Sequence, residues 1–182
     1  LATNRKKDLP DTERLLAAAR AAEVTHVVFL SIVGVDRIPY FYYRDKVAIE
    51  KAIAASGIPF TILRATQFHS FPGEILGMLG GRLFVRGLKI QPIGVIDTAT
   101  RLAELATGTA AGRVADIGGP EILDASDILE RLQAAGRAKK RVLSIALPGK
   151  TFAAFKEGHH LAGLPGYGTQ TFDEWLASGA SK

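Results

Sequence analysis

Residues 25–33, THVVFLSIV, run almost without interruption through β-branched and apolar side chains. An alternating pattern would mark a strand with one wet face. A continuous run marks a strand covered on both faces, the usual situation in a parallel sheet flanked by helices. Residues 59–66, PFTILRAT, repeat the pattern. Between the two runs, residues 40–56 read as a helix with Val47, Ile49, Ala52 and Ile53 on its core side and Gly57 as its C-cap. Strand, helix, strand in this order is the unit of an α/β domain.

The reading extends in both directions. Asp8 starts a helix reaching about Ala22, with Pro10 tolerated in its first turn and Leu15, Leu16, Ala18, Ala19 and Ala22 as a small-residue apolar face. Downstream, a short helix is expected over 74–79 and short β segments separated by Gly87 over 82–93. Asp97 is expected to cap a helix ending near Ala106, and residues 114–117 to form a strand before Gly118 and Gly119. Asp124 or Ser126 opens another helix, RVLSIAL (141–147) reads as a strand, and residues 151–157 and 172–177 read as helical. The whole chain is expected to be one domain, with a smaller substrate-side region at about 68–95 and 120–182.

Composition bounds the function. The chain has 182 residues, 47% hydrophobic and 23% charged, which is ordinary for a globular domain able to bury roughly 70% of its unfolded surface. It contains no cysteine, which excludes disulfides and thiolate metal sites and fits a cytoplasmic location. No apolar run is long enough to span a bilayer, and no leader is recognisable at the start. The net charge of +5 is modest. Its densest clusters, residues 5–7 and 137–141, carry no interleaved aromatics and read as solvated helix ends, so neither nucleic acid nor membrane is expected as a partner. His159 and His160 are adjacent, and His26 and His69 lie elsewhere, so no metal site is expected. The expected partner is a small molecule, bound by a monomer or homodimer.

The candidate chemistry lies between the two buried strands. Tyr42 and Lys46 are four apart on the expected helix, hence on one face, one turn above the other. An ammonium beside a phenol favours the phenolate, and a phenol tuned that way can exchange a proton with a carbonyl or alcohol oxygen. Ser31 stands at the C-terminal end of the preceding strand, the edge where open parallel sheets bind ligands. Tyr40 is a candidate for the pocket wall. Arg64 lies in a buried strand and needs a carboxylate or carbonyl partner, and His69 reads as a structural loop histidine.

HVVFLSIVGVD (26–36), YFYYRDK (40–46) and GIPFTILRATQFH (57–69), followed by QPIGVIDTATRLAELA (91–106), resemble the atypical short-chain dehydrogenase/reductase family, in particular its NmrA-like branch. The resemblance covers most of the chain. It implies a Rossmann-like, doubly wound, mostly parallel sheet with helices on both faces and a small C-terminal substrate-side region. It also implies NADP or NAD as cofactor, NADP slightly favoured, and Ser31, Tyr42 and Lys46 as the catalytic triad: Tyr42 the acid/base, Lys46 also on the nicotinamide ribose, Ser31 on the substrate oxygen. Leu1, Ala2 and Thr3 then correspond to the loop over the cofactor ribose, and Ala65, Thr66, Gln67 and Phe68 to the loop facing the nicotinamide.

The family's glycine-rich phosphate turn is not found in this sequence, nor is the residue that selects NAD or NADP. The resemblance therefore implies a start about four strands into the fold, with roughly 60 to 80 residues of βα units before it. The function expected is hydride transfer between a nicotinamide cofactor and a small carbonyl, alcohol, quinone or activated double bond. The alternatives are a non-catalytic NAD(P) sensor of the NmrA type, and a sugar-nucleotide epimerase or dehydratase using the same three residues.

Overall fold

In the computed structural model, which describes residues 5–78, 83–139, 141–145 and 148–179, the two buried runs are neighbouring strands. β1 (Val27–Ile32) and β2 (Phe60–Ala65) pair in parallel, in register from Val27 opposite Phe60 to Ile32 opposite Ala65. The helix between them is α2 (Phe41–Ala54), and α1 (Arg5–Ala21) packs beside it. A two-residue strand, β5 (Gly112–Arg113), continues the sheet beyond β2, giving the order β1-β2-β5. Farther along the same edge Ile117 bridges Ala65 in parallel.

The pleat sends alternate side chains to opposite faces. Val27, Phe29, Phe60 and Ile62 meet Leu16 of α1 and Ile49 and Ile53 of α2 on one side. On the other, Val28, Leu30, Leu63, Ala65 and Ile117 meet Leu102 and Leu105 of α4 (Val95–Thr107). This is the three-layer α/β arrangement expected, and it explains why the strands carry no alternation: each face packs against helices.

The remaining elements lie past the C-terminal ends of the strands. α3 is Phe71–Met78, and β3 (Leu83–Val85) pairs in parallel with β7 (Leu143–Ile145). β4 (Lys89–Ile90) pairs antiparallel with β6 (Leu123–Asp124), which runs directly into α5 (Ala125–Ala134). α6 (Lys150–Lys156) packs against the start of α2 through Ala154 and Phe155. The short α7 (Phe172–Ala177) closes a cluster of Ile128, Leu132, Phe172 and Trp175.

Three local expectations are corrected. α1 begins at Arg5, so Pro10 lies inside it rather than in its first turn. The ring costs only the backbone bond that would reach back to residue 6, near the helix start. α2 ends at Ala54, with the Ala55 N–H still bonded to the Lys51 carbonyl, so Gly57, at φ +77°, makes the turn into β2 instead of capping. The N-cap of α4 is Gly94, not Asp97. The Asp97 carboxylate is taken by the Thr169 N–H, the Thr169 hydroxyl and the Gln170 N–H (3.0, 3.0 and 3.3 Å), which tie the C-terminal segment to this helix.

Candidate active site

On the α2 face of the sheet, two apolar rows each end in a polar residue. Val27 and Phe29 lead to Ser31 on β1, and Phe60 and Ile62 lead to Arg64 on β2; Ser31 and Arg64 are register partners. Ser31 is 2% exposed, and its buried Oγ has no hydrogen-bond partner. A buried hydroxyl left unpaired costs free energy, so an orphan of this kind at a ligand-binding edge points to a partner arriving from outside.

α2 carries the two other candidates. Lys46 Nζ lies 5.6 Å from the Tyr42 ring centroid, as the four-residue spacing requires, and 5.7 Å from the ring of Phe29. Lys46 thus bridges Tyr42 and β1, and Ser31 is the next residue along β1 on the face that Phe29 shares. The structure therefore brings Ser31, Tyr42 and Lys46 to one corner, at the C-terminal end of β1. Neighbouring tyrosines do different work. Tyr43 is buried among Val35, Ile38 and Ala154, and burial, with Tyr40 and Tyr42 close by, raises its phenol far above the ordinary range. It is a packing residue. Tyr40 stands at the helix entrance, with its ring 4.5 Å from Phe41 and 6.4 Å from Tyr42.

The loop after β2 reaches the same edge. The Thr66 hydroxyl donates to the Gln91 carbonyl (2.6 Å) and is spent on holding the loop. The Ala65 carbonyl accepts from the Val33 N–H, and Phe68 bridges Ile93. Gln67 differs: its Oε1 is buried without a partner. Leu1, Ala2 and Thr3 lie outside the described residues.

Arg64 has the carboxylate partners its burial demands. Its Nε and Nη2 donate to the two oxygens of Glu50 (2.9 and 2.7 Å), and Nη1 is 2.9 Å from Asp36 Oδ2. His69 is buried, 2% exposed, with Nε2 3.1 Å from the Gln170 carbonyl and its ring stacked on Trp175, the structural setting expected of it. Among the described residues no group of histidine or carboxylate side chains could hold a metal ion. Nor is any of their helices long and apolar enough to cross a membrane.

Two functional-looking polar residues were not legible. Gln91 is fully buried and makes three side-chain bonds, and Asp97 clasps the C-terminal segment as described. Both partners lie more than 25 residues away, so no local pattern announces them. The one available signal was a Gln inside an apolar stretch, QPIGVI.

A parallel sheet between helical layers, with polar side chains gathered at the C-terminal ends of its strands, defines a Rossmann-like, nucleotide-binding class of fold. No family model matches the chain. Over 126 residues it is 34% identical to (4-alkanoyl-5-oxo-2,5-dihydrofuran-3-yl)methyl phosphate reductase of Streptomyces griseus, covering 65% of this chain. The chain spans 44% of the length of that curated relative. Among solved structures it resembles an NADPH-dependent quinone oxidoreductase of Escherichia coli in complex with NADPH, with a TM-score of 0.72 at 18% identity over 97% of this chain and 73% of that one. It also resembles the triphenylmethane reductase of Citrobacter sp. complexed with NADP(H), with a TM-score of 0.62 at 15% identity over 100% of this chain and 70% of that one. A nucleoside-diphosphate-sugar epimerase of Staphylococcus aureus gives 0.68 at 17% identity, over 97% and 73%. The fold is that of NAD(P)-binding reductases and epimerases, as the resemblance to the atypical short-chain dehydrogenases implied.

Proposed function

We propose that the protein is an NAD(P)-dependent oxidoreductase of the atypical short-chain type, acting on a small carbonyl, alcohol or quinone-type substrate with Tyr42 as its general acid/base. The observation that carries the reading is the corner itself: Tyr42 and Lys46 stacked on α2 against Phe29, beside a buried and unpaired Ser31 hydroxyl. The reductase relative and the NADPH-bound structural neighbours support the choice of class.

The chain's own residues divide the work. The Ser31 hydroxyl donates to the substrate oxygen and so satisfies itself. The Tyr42 hydroxyl gives that oxygen a proton during reduction and takes one during oxidation. The Lys46 ammonium stabilises the phenolate left behind and offers further donors to a ribose hydroxyl. Ala65, Thr66, Gln67 and Phe68 form the edge for the nicotinamide end, where the unpaired Gln67 oxygen is free to accept. The resemblance assigns Leu1, Ala2 and Thr3 to the ribose side. NADP or NAD supplies the hydride when bound. Segments 68–95 and 120–182 form the substrate side.

The test is NADPH oxidation with a panel of carbonyls and quinones. Replacing Tyr42 by Phe is expected to lower turnover at least about 100-fold, the scale of one acid/base group, with cofactor affinity kept. Unchanged turnover removes Tyr42 from the chemistry. Cofactor binding without turnover on any acceptor turns the reading towards a sensor.

A further inference from the structure

We propose that Arg64 is a positioning residue that fixes the rotation of α2, and with it the aim of Tyr42 and Lys46 at Ser31; the inference rests on the acid/base reading of Tyr42. Four observations converge on it. Arg64 is the register partner of Ser31, so it stands beside the site on the same face of the sheet. Its guanidinium grips both oxygens of Glu50, in a two-point fork of 2.9 and 2.7 Å. Glu50 is four residues beyond Lys46 and eight beyond Tyr42, so all three share one stripe of α2. The third nitrogen, Nη1, is 2.9 Å from Asp36, in the loop joining the strand of Ser31 to the helix of Tyr42. One side chain therefore ties together β2, α2 and the connection between the two halves of the site.

Stability alone is a poor explanation for such a group. Arg64 is 5% exposed and Glu50 8%, and a buried ion pair usually contributes no more than well-packed apolar side chains of the same volume. Phe29 and Ile62 precede Ser31 and Arg64 on this face, so a Met or Leu at 64 would simply continue the apolar row of β2. A planar fork adds direction. Two parallel bonds resist rotation of the helix about its axis, whereas apolar contacts let side chains slip by fractions of an ångström. Asp36 reports the strength of the grip from the loop side. Partial burial pushes its carboxyl up, yet the hydrogen bond and charge of Arg64 outweigh burial and hold it below the ordinary carboxylate range.

Two variants of the intact protein separate positioning from mere stability. Arg64→Lys keeps the charge and loses the fork. The double variant Arg64→Met with Glu50→Leu removes the buried pair and fills its space, leaving the half-exposed Asp36 to water, and its melting temperature is measured alongside to show that it is folded. Each is measured for NADPH oxidation and, independently of turnover, by NMR with tyrosine labelled with 13C at Cζ, the Tyr42 resonance being assigned by Tyr42→Phe. In both variants kcat is expected to fall about 10- to 100-fold, the cost of displacing a reacting group by up to an ångström, with a smaller rise in KM for NADPH as Lys46 shifts with the same stripe. The Tyr42 resonance is expected to move while that of Tyr167 stays. Wild-type kcat and an unmoved Tyr42 resonance in both variants, whatever their melting temperatures, would overturn the proposal. If the wild type oxidises no NADPH with any acceptor and the Tyr42 resonance still moves, positioning by Arg64 stands and the oxidoreductase reading falls.

Discussion

Gln91 is an amide in a place where hydropathy calls for a hydrocarbon. Its Nε2 donates to the carbonyls of Gly119 and Gly163 (2.9 and 2.8 Å), and its Oε1 accepts from the Ala162 N–H (2.9 Å). Gly118 is bare because a Cβ there would overlap the Gln91 amide. Replacing Gln91 by Leu preserves volume and orphans three backbone groups at once. The expected cost is about 2 to 4 kcal/mol, measured as a lower urea midpoint at unchanged slope. The charge on Arg64 was legible as a need for a partner, because a guanidinium in a buried strand must be paired. Which carboxylates answer was not legible: Glu50 and Asp36 are two of many acids, and only the packing of α2 on β2 selects them.

Among the elements, the connection from β1 to α2 carries the site's geometry, and it is held from outside the sheet. Gly34 takes φ +79°, and a Cβ on it would run into the His159 carbonyl. Arg37 donates to that same carbonyl (2.9 Å), and the Thr151 hydroxyl donates to the Pro39 carbonyl (2.9 Å). Residues 33–40 are thus docked on α6 and the turn behind it. Gly34→Ala is expected to cost about 1 to 2 kcal/mol from the left-handed backbone alone, before any contribution from the steric clash. Hydrogen exchange should speed up over 33–40 and 150–160 together while α1 is unaffected; an effect confined to 33–40 would mean the two segments are not coupled. The docking is invisible in sequence, where 34 and 159 are far apart. β1 and β2 were readable for the opposite reason, since a continuous apolar run is a local signal. The three-residue ladder of β3 with β7 carries far less signal, and its partner choice is wholly tertiary.

Across the molecule, two buried histidines pin the C-terminal third to the body, and they make stability depend on pH. His69 Nε2 is 3.1 Å from the Gln170 carbonyl, with its ring stacked on Trp175, whose ring also lies 4.7 Å from the Arg137 guanidinium carbon. His160 Nε2 is 2.6 Å from the Lys89 carbonyl, and its ring meets Phe155 edge-on. Carbonyls only accept, so in both rings Nε2 carries the proton and Nδ1 is the bare nitrogen, which is buried without a partner. Adding a proton there places an unpaired charge in the interior. Burial accordingly holds both imidazoles below their ordinary value of 6.5, for His69 against the pull of the Gln170 carbonyl, Asp97 and Glu121, and for His160 against that of the Lys89 carbonyl. The unfolded chain then binds more protons than the folded one once pH drops below 6.5. Stability is complete above that value and lost as pH falls towards the folded-state values, by up to about 1.4 kcal/mol per histidine and pH unit. Asp36, held low by Arg64, contributes in a separate window, below its ordinary value of 3.8. Glutamine at 69 and 160 can donate to the same carbonyls and takes up no proton. The wild type is expected to lose melting temperature steadily from pH 6.5 to 5, and the double variant His69→Gln with His160→Gln to stay flat across that range. Both are expected to decline together below pH 4. A variant as steep as the wild type between 6.5 and 5 would assign the transition to other groups.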